Sequence, residues 1–217
     1  MLGGIDAMKK ATCHGAVAAL AAGLFCAAPA GRARAQERPE GVRIERLMYR
    51  GTGCRQGTAD AQIVGGGTAF IIVFTEFNAQ AGPSASPSEG RSRCNVSVHL
   101  RYPEGWSFTA ASVVYRGNAI LGPRVSARMG ARYNFPGTPS SSAEVELTGF
   151  ATEDFELLRQ FDTARWSPCA RRGALPVNVL ATVEVSNRQD RSSSGLITVE
   201  QHDGTFDLQL NLRWRRC

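Results

Sequence analysis

Strict alternation of apolar and polar residues is the feature that most limits what this chain can fold into. In ALPVNVLATVEVS, Val177, Val179 and Val183 fall on one face, and polar residues fall on the other. The same period of two recurs in CNVSVHLRY, RVSARMGARYNF and TFDLQLNLRWRR. Successive side chains of a β-strand point to opposite faces, so each segment predicts a strand with one buried and one wet face.

Turn-rich stretches of Gly, Pro, Ser and Asn separate these strands, as in NFPGTPSSSA and SNRQDRSSSG. TEDFELLRQF is compatible with a short helix or with a strand, and no other segment indicates a long helix. About nine or ten strands in one chain of this length predict an all-β, single-domain β-sandwich of jelly-roll type.

The first 35 residues have the pattern of an export signal. Lys9 and Lys10 precede an apolar stretch of about 13 residues, and Ala33-Arg34-Ala35 fits a cleavage site. We therefore predict a signal peptide over 1–35 and a secreted domain, extracellular or periplasmic, over 36–217. The apolar stretch is too short to span a bilayer and no second one follows, so we expect no transmembrane segment in the mature chain.

The charge of the predicted domain argues against nucleic acid as a partner. Of 25 basic and 19 acidic residues, four and one precede residue 36, which leaves 21 − 18 = +3. This excess is too small to indicate a nucleic-acid surface, and export argues against one independently.

Four cysteines remain after residue 35: Cys54, Cys94, Cys169 and Cys217. An even number in an exported chain predicts two disulfides, for which three connectivities are possible. We favour the pairing of neighbours in sequence, Cys54 with Cys94 and Cys169 with Cys217. No spacing matches a CxxC metal motif, which argues against zinc. Cys217 is the last residue, so its disulfide is expected to hold the terminal strand against fraying.

Several segments together resemble an uncharacterised secreted family catalogued as domain-of-unknown-function family 4360. They include YRGTGC, AFIIVFTEFNAQAG, RCNVSVHLRYPEGWSF, WSPC and LRWRRC, with all four cysteines in the family's order. Two positions depart from the family pattern, Arg55 in place of a proline and Ala170 in place of a glycine. The resemblance implies secretion, disulfides and an all-β domain, and it supplies no catalytic residue.

The binding candidates are one tryptophan and a row of arginines. Trp106 in YPEGWSF is next to turn residues, where an exposed ring can stack on a sugar. Arg124, Arg128 and Arg132 recur every four residues and are predicted to share the outer face of one strand. Such a row can bind an anionic polysaccharide. The alternative is that the row simply keeps a wet face charged.

A catalytic role has weaker candidates. Glu153, Asp154 and Glu156 can supply carboxylates for glycoside hydrolysis or oxygen ligands for calcium, and His99 and His202 can act as bases. No GxSxG or HExxH motif is present. We expect a non-catalytic extracellular or envelope module that needs no cofactor and either binds a polysaccharide or a cell-envelope component or has a purely structural role. The alternative is a secreted hydrolase of polysaccharide, with calcium as its possible ion.

Overall fold

The computed structural model describes four ranges of the chain, residues 37–149, 151–170, 174–198 and 206–217. The predicted signal peptide, residues 1–35, lies outside the described residues. Every helix or strand assigned within the four ranges is a β-strand. The twelve strands are β1 (Arg43–Gly51), β2 (Ala59–Val64), β3 (Ala69–Phe74), β4 (Ala79–Ala81), β5 (Arg91–Arg101), β6 (Trp106–Leu121), β7 (Ser126–Asn134), β8 (Ser141–Thr148), β9 (Ala151–Gln160), β10 (Leu175–Ser186), β11 (Gly195–Thr198) and β12 (Phe206–Arg216).

The strands form two antiparallel sheets that pack as a sandwich. One sheet has five strands in the order β1-β5-β10-β7-β8, and the other has seven, in the order β2-β3-β12-β6-β11-β4 with β9 also paired to β6. β12 and β11 follow each other along one edge of β6, so β9 takes the opposite edge. The prediction of an all-β sandwich is confirmed. The segment TEDFELLRQF, which left helix and strand open, belongs to β9.

Alternation explains which face of each strand is buried. On β10, Val177, Val179 and Val183 are at most 1% exposed, and on β12 Leu208 and Leu210 are fully buried. These inward residues of both sheets belong to one hydrophobic cluster. Full burial of such a side chain contributes about 1.5–3 kcal/mol, so the shared interior holds the two sheets together.

An aromatic cluster links the two sheets. The ring centroid of Phe108 on β6 lies 5.2 Å from that of Trp214 on β12. The same ring lies 5.4 Å from Tyr102, which follows β5, and 5.1 Å from Phe135, which follows β7. The buried indole N–H of Trp214 donates to the carbonyl oxygen of Gly67 at 2.7 Å. The cluster therefore combines aromatic packing with a satisfied polar group.

The two disulfides join Cys54 to Cys94 and Cys169 to Cys217. The predicted pairing of neighbours in sequence is thus confirmed. The second bond attaches the last residue of the chain to the segment between β9 and β10. The backbone N–H of Cys217 also donates to the carbonyl oxygen of Gly105 at 2.9 Å. The end of β12 is held by a covalent bond and a hydrogen bond.

A carboxylate connects the end of β9 to the start of β8, which belong to different sheets. Asp162 Oδ1 accepts hydrogen bonds from Ser141 Oγ at 2.7 Å and from the Ser142 N–H at 3.1 Å. Its Oδ2 accepts from Ser142 Oγ at 2.7 Å. These hydrogen bonds, first that from the Ser141 hydroxyl and then those from Ser142, lower the pKa of Asp162 to about 2.

We expect Asp162 to make the free energy of unfolding depend on pH in the acid range. Its folded-state pKa of about 2 lies below the ordinary value of 3.8, so the carboxylate stabilises the fold above the ordinary value. That contribution is lost as the pH falls through the folded-state pKa. Asp162→Asn should therefore be less stable than the wild type near neutral pH and approach it on acidification. Denaturant titrations across this pH range measure the difference, and a difference independent of pH would contradict the assignment.

Candidate functional site

Trp106 is a predicted binding residue, and the expectation that its ring is exposed is wrong. The side chain is 4% exposed because it lies on the inward side of β6, within the hydrophobic cluster. The guanidinium of Arg216 lies over the ring, 4.0 Å from its centroid. Trp106 therefore offers no free ring face to a sugar. Trp166 is half-buried, and Arg215 lies 4.1 Å from its ring centroid.

The three predicted arginines do not share one strand. β7 begins at Ser126, and Arg124 lies in the preceding turn with a φ of 58°. That turn is closed by a hydrogen bond from the Val125 N–H to the Gly122 carbonyl oxygen. The row of three is therefore corrected to two: Arg128 and Arg132 alone lie exposed on the outer face of β7. Arg128 forms an ion pair with Glu146 on β8, with a distance of 3.2 Å between Nη2 and Oε2.

A groove runs across the outer face of the five-stranded sheet, with a volume of about 710 Å³. We call it the amide groove. Antiparallel pairing places Arg50 opposite Asn95, Asn95 opposite Leu180, and Leu180 opposite Arg132. This row crosses four strands, or about 14 Å at 4.8 Å per strand spacing. The adjacent row contains Met48, Ser97, Asn178 and Asn134.

The polar side chains of the amide groove are mostly free of protein partners. Within the described ranges, Arg50 and Arg132 form no ion pair, and the side chains of Asn95, Ser97 and Asn178 form no hydrogen bond. Among the residues that the structure describes, no carboxylate lines the groove. Met48, which is 47% exposed, and Leu180 supply apolar surface between these groups. The groove therefore presents unused donors and acceptors around a small apolar floor.

A smaller groove of about 210 Å³ adjoins the amide groove and shares Arg132 and Leu180 with it. We call it the arginine groove. Arg93 on β5 faces Thr182 on β10, which in turn faces Gly130 on β7. A Cβ atom at Gly130 would lie 2.7 Å from Thr182 Oγ1, so a larger residue at this position would crowd Thr182 and occupy the floor of the arginine groove. Glu144, which faces Gly130 from β8, also lines the arginine groove.

The predicted acidic cluster lies on the other sheet and is engaged in protein contacts. Glu156 Oε2 lies 3.0 Å from Arg116 Nε, and Arg116 Nη1 lies 2.9 Å from Asp207 Oδ1. Burial raises the pKa of Asp207, against the opposing effect of Arg116. Asp154 Oδ1 accepts a hydrogen bond from Asn118 Nδ2 at 3.0 Å. The side chain of Glu153 lies outside the described residues.

Of the two histidine candidates, His99 lies on the five-stranded sheet, away from these carboxylates. His99 lies on the outer face of β5, and its Nε2 is buried without a hydrogen-bond partner among the described residues. His202 lies outside the described ranges. Where side chains are described, no three His, Cys, Asp or Glu residues converge to hold a metal ion. Calcium binding stays a prediction from the sequence.

The residues of the two grooves were mostly missed by sequence reasoning. Alternation does place Asn95 and Asn178 on wet faces, and this pattern could have identified both as candidate binding residues. Alternation cannot show that β1, β5, β10 and β7 are successive neighbours, because these strands are far apart in the chain. Arg50 and Arg93 therefore had no visible connection to Arg132.

No helix long and apolar enough to cross a bilayer occurs among the described residues.

Comparison with known sequences identifies a family and a relative. A family described as a domain of unknown function (DUF4360) matches residues 40–217, which confirms the resemblance seen in the sequence. An uncharacterized secreted protein of Arthroderma benhamiae is 32% identical over 183 residues, covering 82% of this chain and 73% of that protein.

Solved structures with a similar arrangement are distant. TmCBM61 in complex with beta-1,4-galactotriose is 12% identical, with a TM-score of 0.31 over 80% of this chain and 90% of that chain. The enzymatically active domain of bacteriophage CBA120 tailspike protein 4 is 8% identical, with a TM-score of 0.23 over 79% of this chain and 19% of that chain. Both likenesses are too weak to assign a ligand.

Proposed function

Because this chain belongs to the family described as a domain of unknown function (DUF4360) and is secreted, we propose that it is a non-catalytic module that binds extracellular polysaccharide. The binding surface is the outer face of the five-stranded sheet. Arg132 lines both grooves and Arg128 lies four residues before it on β7, whereas Trp106 is buried and Arg124 lies in the turn before β7.

One observation carries this proposal: in the described part of the chain, the amide groove is lined by no carboxylate and holds polar side chains without protein partners. Its volume of about 710 Å³ lies within the usual range of about 300–1,000 Å³ for ligand sites. Exposed amides and guanidinium groups are hydrated in the free protein, so exchanging water for ligand hydroxyls costs little. Sugar hydroxyls both donate and accept hydrogen bonds, which matches Asn95, Ser97 and Asn178.

The apolar floor of the amide groove supports a sugar ligand as well. Leu180 lies between Asn95 and Arg132 in the register of the sheet, and Met48 lies in the next row. A pyranose ring has apolar C–H faces and polar edges, so it can cover Leu180 while its hydroxyls reach the amides. Binding sites commonly combine an apolar lining with a few convergent polar groups in this way.

The state of the carboxylates supports a non-catalytic role. Glycoside hydrolysis needs two carboxyl groups facing each other about 5–10 Å apart across a cleft. Glu156 and Asp207 instead flank Arg116 on the opposite face of the sandwich, away from both grooves. Glu146 is held by Arg128.

We expect the purified protein to be retained on at least one polysaccharide of a panel comprising cellulose, xylan, chitin, galactan, polygalacturonate and alginate. Arg132→Ala should weaken that binding about tenfold or more and Asn178→Ala about two- to tenfold, since a hydrogen bond from a charged group contributes about 1.5–3 kcal/mol and one from a neutral amide about 0.5–1.5 kcal/mol. Depletion assays on insoluble polymers and calorimetry on soluble ones measure the loss.

The matched control is Arg213→Ala. Arg213 is exposed on the outer face of β12, in the other sheet, and forms no ion pair within the described ranges. Its removal changes the net charge by the same amount as Arg132→Ala and should leave binding unchanged. Retention on none of the polymers, or equal loss in the control and the groove variants, would contradict the proposal.

A further inference from the structure

The outer face of the five-stranded sheet carries an excess of positive charge. Its strands present eight arginines and four glutamates, which gives 8 − 4 = +4. The arginines are Arg43, Arg46, Arg50, Arg91, Arg93, Arg101, Arg128 and Arg132, and the glutamates are Glu45, Glu144, Glu146 and Glu184. Residues 36–217 carry only +3 in all, so the remaining surface is close to neutral.

Ion pairing divides these arginines into two sets. Glu45 pairs with Arg43 and Arg101, Glu184 pairs with Arg91, and Glu146 pairs with Arg128. The arginines without an ion pair in the described part of the chain are Arg46, Arg50, Arg93 and Arg132. Of the four glutamates, Glu144 alone is unpaired within the same ranges. The face therefore keeps four free guanidinium groups against one free carboxylate.

Two of the free arginines line the same small space. Arg93 and Arg132 lie on opposite sides of β10 and both line the arginine groove. Between them lie Thr182 and Leu180 of β10, and Gly130 lies on β7 opposite Thr182. Gly130 adds no side chain to the floor beside Thr182 and Arg132. Guanidinium N–H groups bind carboxylate and sulfate oxygens with matched geometry, and two such groups around an open floor suit an anion.

We propose that the polysaccharide recognised here is acidic, with an anionic sugar substituent held between Arg93 and Arg132 in the arginine groove while the sugar ring lies in the amide groove. This inference rests on the proposed function, because it assigns a chemical class to the ligand of the same surface. The anion is a carboxylate or a sulfate group. The adjoining amides favour a sugar over an anionic lipid surface, since Asn95 and Asn178 match ring hydroxyls.

The proposal predicts that replacing Glu144 changes the binding affinity in the opposite direction to replacing Arg93. Its carboxylate lines the arginine groove and repels an incoming anion. Removing that charge should strengthen binding, whereas removing Arg93 should weaken it. A nonspecific effect of mutation on folding would not produce changes in both directions.

The experiment compares polygalacturonate with the same polymer after full methyl esterification, and adds a sulfated galactan and phosphatidylglycerol vesicles. We expect the wild type to bind polygalacturonate or the sulfated polymer at least about tenfold more tightly than the ester, and to lose most of this affinity in about 0.5 M NaCl. Arg93→Gln should weaken acidic-polymer binding about tenfold, Glu144→Gln should strengthen it about threefold, and Arg213→Gln should leave it unchanged.

The possible failures are distinguishable. Equal affinity for polygalacturonate and its ester, with loss in Asn178→Ala only, would overturn the acidic ligand and keep the polysaccharide function. Binding to the vesicles but to no polymer would overturn both. Among supporting results, the relative affinities for polygalacturonate and the sulfated galactan decide whether the bound group is a carboxylate or a sulfate.

Discussion

Replacing both Cys169 and Cys217 with serine should lower the free energy of unfolding by about 4 kcal/mol. The bond closes a loop with a sequence separation of 48 residues, and its removal returns the corresponding loop-closure entropy to the unfolded chain. It also releases the last residue of β12, a strand that pairs with both β3 and β6. Denaturant titration of the oxidised proteins measures the loss, and the double replacement leaves no unpaired thiol within residues 36–217.

The matched control is the double replacement of Cys54 and Cys94, whose sequence separation of 40 residues predicts a loss of nearly the same size. The two variants should differ in where they loosen. Amide hydrogen exchange should rise first at the end of β12 in the first variant and around the start of β5 in the second. A loss below about 1 kcal/mol for the first variant would mean that strand pairing alone holds the chain end.

Phe108→Ala should lower the free energy of unfolding by about 3–5 kcal/mol. Phe108 is fully buried, and its ring contacts Tyr102, Phe135 and Trp214. Truncation removes the six ring carbons at the point where the aromatic residues of both sheets meet, and the rigid surrounding rings limit collapse into the cavity. Denaturant or thermal unfolding measures the change.

Ile120→Ala on the same strand serves as the control for Phe108→Ala. Ile120 is 47% exposed, so its truncation should cost well under the Phe108 variant, about 1 kcal/mol or less. A similar cost for both variants would show that the aromatic cluster does not dominate the packing of β6. Both variants leave the grooves intact, so the proposed polysaccharide binding should be kept in the folded fraction of each.

The sandwich holds the backbone of the proposed binding surface in place. The groove residues Arg50, Asn95, Arg132 and Asn178 lie on strands rather than on loops, and the opposite face of each strand is packed into the core. Side chains on such a scaffold are already placed before ligand arrives, which reduces the ordering cost of binding.

Much of the fold could be predicted because it follows from local pattern. Alternation in CNVSVHLRY and TFDLQLNLRWRR identified β5 and β12 and the buried side of each. The even number of cysteines predicted two disulfides, and proximity in sequence led to the correct choice among three pairings. Both inferences depend on covalent geometry and on residue type, which the sequence contains in full.

Two expectations about the candidate residues are wrong because they depend on strand boundaries and burial, which the local sequence pattern does not show. YPEGWSF looks like an exposed turn, yet Trp106 already belongs to β6 and points inward, where Arg216 from β12 covers it. The spacing of four placed Arg124 with Arg128 and Arg132, but a turn ends before β7 begins and gives Arg124 a positive φ. Strand boundaries depend on pairing partners, which periodicity does not contain.

Local pattern was enough to predict strands with one wet face, because side-chain alternation is a property of each strand alone. Which of these wet faces are neighbours depends on how the strands pack in three dimensions. The order β1-β5-β10-β7 brings Arg50, Asn95, Leu180 and Arg132 into one row, although they lie up to 130 residues apart in the chain. Strand order is set by the packing of all strands on a common core, and the candidate site exists because of that order.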